Sequence, residues 1–108
     1  MNEEFQIESR KETFRVAKIS PVDLLAISTQ IDFENLKMTK SLIQFCLENL
    51  EVKMGETWMP VKSKDKEIYW PKDIVNDLIS LQQLFMYMME NVIAKTFMKS
   101  SESTESTL

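Results

Sequence analysis

Apolar residues recur at helical spacing over the last long segment, Ile74 to Phe97, which reads IVNDLISLQQLFMYMMENVIAKTF. With Ile74 at zero on a helical wheel, Leu78, Leu81, Phe85, Met89 and Val92 fall within about 60° of it, an ordinary core stripe. Ile79, Met86, Ile93 and Phe97 form one flank, and Leu84 and Met88 the other. The whole apolar arc spans about 220°, where a surface helix needs little more than about 100°. Gln82 interrupts it, and Asn76, Ser80, Gln83, Glu90 and Asn91 fill the polar remainder.

The pattern before this segment changes twice. TFRVAKI, residues 13–19, alternates and predicts a strand with Phe14 and Val16 on one face. Ser20 and Pro21 then suit a helix cap and first position, with Asp23 in the first turn. A short helix is expected to about Gln30, with Leu24, Leu25 and Ile27 inward. Asp32 predicts a second start, and a helix from Phe33 to about Leu50. Leu36, Leu42, Ile43, Cys46, Leu47 and Leu50 share its inner face, while Phe45 and Met38 lie opposite. EVKM and TWMPVK predict two short strands about Gly55-Glu56, with EIYW a further strand. Gly55 is the only glycine and suits a positive φ. Pro60 places its strand at an edge. Pro71, with Asp73 in the first turn, predicts the start of the third helix, running to Phe97 or Met98.

These elements predict an α+β domain of about three helices on a small antiparallel sheet or hairpin, with a long C-terminal helix. The domain is expected over residues 13–98. Residues 1–12, MNEEFQIESRKE, predict a flexible acidic arm, which Phe5 and Ile7 dock either outright or only when a partner is present. The tail SSESTESTL has too little apolar surface to order, so residues 99–108 predict a disordered segment.

Composition narrows the uses of the surplus apolar surface. The 108 residues make one domain with a modest core, and hydrophobic content of 44% and charge of 28% are ordinary. A net charge of −4 disfavours nucleic-acid binding. There is no histidine, so the commonest general base and metal ligand is missing. The single cysteine, Cys46, lies in the apolar run LIQFCL; it suits a small buried hydrophobe in a reducing compartment rather than a nucleophile or zinc ligand. One glycine cannot form a phosphate-cradling loop. Glu3, Glu4 and Glu8, and the pair Glu48 and Glu51, suit solvated charge. Trp58, Tyr69 and Trp70, interleaved with lysines, suit base stacking or, as the favoured expectation, packing of the hairpin on the helices. No run reaches the roughly 18 apolar residues of a membrane span, and the N-terminus lacks a signal-length apolar stretch. The expectation is a soluble, non-enzymatic protein without a cofactor, working by protein contact. Met86, Met88, Met89, Ile93 and Phe97, together with Phe45, are the candidate interface, for a client or for a homo-oligomer.

Three stretches in order, FRVAKISPVDLLAISTQIDF, LENLEVKMGETWMPVK and IYWPKDIVNDL, carry a resemblance. A strand leading into a serine-capped S-P-x-D-L-L-A helix, a W-x-P-V-K strand and a Y-W-P turn into a final helix resemble the small tail assembly chaperones of long-tailed bacteriophages of Gram-positive hosts. The likeness covers about residues 13–98. It implies an α+β fold and no enzymatic activity. It also implies that the chain coats the helical tape measure protein in the host cytoplasm, keeps it soluble and helps recruit tail tube protein. Such proteins commonly leave before the virion is complete, and many also exist in a form extended by a translational frameshift. The alternative is a permanent virion or connector subunit that oligomerises through the same apolar helix.

Overall fold

Four short alternating segments pair into one antiparallel sheet, because each has an apolar face that must leave water. A computed structural model describes residues 3–29, 31 and 39–94. Strands β1 (Glu4–Phe5), β2 (Phe14–Val16), β3 (Leu50–Met54) and β4 (Thr57–Pro60) lie side by side in chain order. The register sets Phe5, Phe14, Val52 and Met59 opposite one another, a single apolar row across the sheet. Leu50 pairs with Val16 beside it, and Phe14, Leu50 and Val52 are fully buried. Alternate residues point to the other face. There Arg15 Nε donates to Glu51 Oε1 at 2.7 Å, and its guanidinium lies 4.0 Å from the centre of the Trp58 ring. Gly55, at φ 67°, turns β3 into β4. Pro60 lacks an N–H, and its strand stands at the sheet edge.

Residues 1–12 were expected to form a flexible arm; the described part, from Glu3 on, is packed into the fold instead. Glu4 and Phe5 pair with β2, and Ile7 is buried. The apolar Phe5 and Ile7 supply what the surrounding charges conceal, a strand and a core contact.

Among the described residues, two helices lie between β2 and β3. In α1 (Pro21–Ser28) the Ser20 hydroxyl accepts the Asp23 N–H at 3.1 Å, and proline takes the first position. This short helix meets the core along one line. Ile27 is buried and Leu24 half-buried, but Leu25, expected inward, is 65% exposed beside Val22. Helix α2 (Lys40–Glu48) starts later than expected. Thr39 is extended, at φ −77° and ψ 153°, and its hydroxyl accepts the Leu42 N–H. Residues 32–38, where the earlier start, Leu36 and Met38 fall, lie outside the described residues. The helix also ends sooner. The Asn49 side chain donates to the Phe45 carbonyl at 2.9 Å, satisfying an end group, and Leu50 passes into the sheet. Leu42, Cys46 and Leu47 are buried. EIYW pairs only at Tyr69, which bridges to Lys62.

Over its described residues the expected third helix is three pieces. A 3-10 turn, Lys72–Asn76, follows Pro71. Asp77 then leaves helical geometry, at φ −107° and ψ 83°, and caps helix α3 (Leu78–Met88) by accepting the Ser80 N–H at 3.1 Å. A π turn, Met89–Ile93, continues α3. The expected extension to Phe97 or Met98, and the expected disordered tail, lie outside the described residues.

Candidate protein-binding surface

The break at Asp77 resets the phase of α3, so Ile74 gives no reference for the residues after it. Ser80, Leu84, Phe85 and Met88 are buried and Leu81 is half-buried. At about 100° per residue, Leu78, Ile79, Gln82 and Met86 lie on the opposite side, about 120–220° from Leu84. Leu78 is 76% exposed, Ile79 62% and Met86 46%, and Val75 in the preceding turn is exposed as well. Leu78, Ile79 and Met86 thus form one stripe of large apolar residues in water.

This stripe differs from the interface expected from sequence. Of the five expected residues that the structure describes, only Met86 is exposed. Met88 and Ile93 are fully buried and Met89 is 6% exposed. Phe45 is half-buried against the core, and Phe97 lies outside the described residues. The reason for Ile93 is the π turn. Continued as an α-helix, Ile93 would point about 180° from Leu84, into water. A π turn accommodates one extra residue and carries Ile93 back by about 100°, into the core. Sequence periodicity alone places Leu78 in the core stripe and Ile79 on a flank, whereas both are exposed. The overlooked signal is Asp77-Leu-Ile-Ser80, an acidic cap with a serine three residues on.

The N-terminal segment builds one wall beside the stripe. The Phe5 ring stacks on Tyr87, with centroids 3.6 Å apart and planes 8° from parallel. The Ser9 and Ser80 hydroxyls are 2.8 Å apart, and Ser9 Oγ donates to Gln83 Oε1 at 2.9 Å. Ile7, Ile79, Gln82, Met86, Tyr87 and Glu90 are among the residues lining a shallow groove of about 430 Å³.

Arg10 fastens this wall. Its guanidinium reaches Glu12 at 3.0 Å, Asp73 at 3.0 Å and Asp77 at 2.9 Å. These charge-assisted bonds, Glu12's first, raise the Arg10 pKa against the cost of burial. The bond from Arg10 holds Glu12 below its usual range; the bonds from Ser80, then Arg10, do so for Asp77. Both carboxylates therefore add stability that is full above the ordinary carboxylate range and lost as pH falls through their depressed values. Urea midpoints should fall as pH drops below about 4, and Arg10→Met should flatten the part due to Glu12. Parallel pH profiles for the two proteins would contradict this role.

Other candidate groups are occupied within the fold. Burial pushes the Cys46 thiol up to about 12, which suppresses the thiolate. Lys62 Nζ is buried, donating to Glu48 at 3.3 Å and to the Ser63 carbonyl at 3.0 Å. Tyr69 and Trp70 pack against the core, whereas Trp58 lies beneath Arg15 on the outer face. Among the described residues no buried side-chain nitrogen or oxygen lacks a partner, and no group of three metal-ligating side chains occurs. No helix among them is long and apolar enough to cross a membrane. No family model matches the sequence, and no curated protein and no solved structure matches it either.

Proposed function

We propose that this is a non-enzymatic binding protein that acts as a phage tail assembly chaperone. Its α3 stripe covers apolar positions of the helical tape measure protein in the host cytoplasm, and the complex helps to recruit tail tube subunits. The observation that carries the reading is the exposed run Leu78, Ile79 and Met86 on one side of a helix whose opposite side buries Ser80, Leu84, Phe85 and Met88. Large apolar residues grouped on one side of a helix suit helix-on-helix capture. The resemblance of residues 13–98 to tail assembly chaperones supplies the client's identity.

Ile79→Asp and Met86→Asp should each leave the circular dichroism spectrum unchanged, because both side chains already meet water. Together they should reduce co-purification with a co-expressed tape measure protein by at least about tenfold, as expected for removing a buried anchor. Undiminished co-purification of the double variant would refute the stripe's role. Mass spectrometry of finished particles provides the second test. The chaperone should be absent; a stoichiometric amount would mean a permanent subunit using the same stripe as an oligomer interface.

A further inference from the structure

The α3 groove is apolar at its floor and acidic at one end. Glu90 follows Met86 by four residues and lines the same groove. It is exposed, and the ion pairs among the described residues use the cations Arg10, Arg15 and Lys62, never with Glu90. Burial, then the charge of Glu3, raises the Tyr87 phenol in the groove wall above its ordinary value. Among the described residues no lysine or arginine lines the groove.

We infer that this groove takes an amphipathic helix with two apolar residues at heptad spacing and a lysine or arginine one turn beyond the residue that meets Met86. The inference rests on the binding-protein reading and adds the chemistry of the client segment. Ile79 and Met86 are seven positions apart, about 10 Å along the axis, and Glu90 follows in the π turn beyond them. A helix packed along α3 at a shallow crossing angle stays in register over this short span, in either direction. Its apolar pair covers Ile79 and Met86, and its cation meets Glu90. The amides of Gln82 and Gln83 satisfy polar groups at the rim.

Two synthetic helical peptides test this, identical in their leucines and differing only in lysine or glutamate at the position facing Glu90. Titrated against the full chain by fluorescence anisotropy, the lysine peptide should bind about fivefold more tightly at low salt, with the gap narrowing as salt rises. Glu90→Lys should bring the preference to parity or reverse it, and Ile79→Asp should weaken both peptides. Equal affinities, or a preference that Glu90→Lys leaves intact, would overturn the inference and leave the binding-protein reading standing. Failure of both peptides to bind would also overturn it, while co-purification with the tape measure protein judges the broader reading independently.

Discussion

Ile93→Asp is expected to unfold the domain, whereas Met86→Asp leaves it folded. The two residues belong to the same apolar flank on a wheel started at Ile74, so sequence periodicity gives them one fate. Their surroundings differ completely. Ile93 is fully buried in the π turn and Met86 is 46% exposed. Removing a buried isoleucine costs about 2–5 kcal/mol in lost transfer energy and cavity formation. The aspartate adds a charge with no partner, which is answered by protonation or by opening of the chain. Domains of this size are stable by about 5–15 kcal/mol, so the sum consumes most or all of it. Circular dichroism and urea unfolding measure the difference. A natively folded Ile93→Asp protein would mean that Ile93 faces water and that the π turn does not set its direction.

Phe14→Ala should be the costliest truncation in the sheet, at about 3–5 kcal/mol. Phe14 is fully buried at the middle of the row formed by Phe5, Val52 and Met59. Its ring centroid lies 5.9 Å from that of Phe5, which in turn stacks on Tyr87. The substitution therefore opens a cavity and also loosens β1, a two-residue strand whose side-chain packing outweighs its ladder. Urea midpoints should fall accordingly, and amide exchange should quicken at Phe5 and Ile7 before it does at Val52. Phe5→Ala should cost less, because Phe5 is only half-buried, yet it should reproduce the loss of protection in the N-terminal segment. A Phe14→Ala cost below about 1 kcal/mol would contradict the central place of this row.

Legibility differed from element to element, for physical reasons. The β3–β4 hairpin was plain, since alternation and the sole glycine act within a few residues. The start of α1 was plain for the same reason: the Ser20 cap and Pro21 are local chemistry. The N-terminal segment was misjudged because its strand pairs with β2 and its Arg10 binds Glu12, Asp73 and Asp77. Two of those partners are more than sixty residues away. The candidate surface was legible as a surplus of apolar residues on the last helix, but not as a set of positions. Asp77 was a readable cap that would have restored the phase of Leu78 and Ile79.

The sequence by itself determined the α+β class, the hairpin, and the excess of apolar residues in the last helical segment. Periodicity and caps are local properties, and they persist whatever the rest of the chain does. Only the tertiary structure decided which of those residues meet water. Direction around a helix depends on unbroken phase; the Asp77 cap marks one interruption locally, but the π turn rotates the pattern by an amount that local sequence does not specify. Packing of α3 against α2, the sheet and the N-terminal segment selected Leu84, Met88 and Ile93 for the core. It left Leu78, Ile79 and Met86 outside.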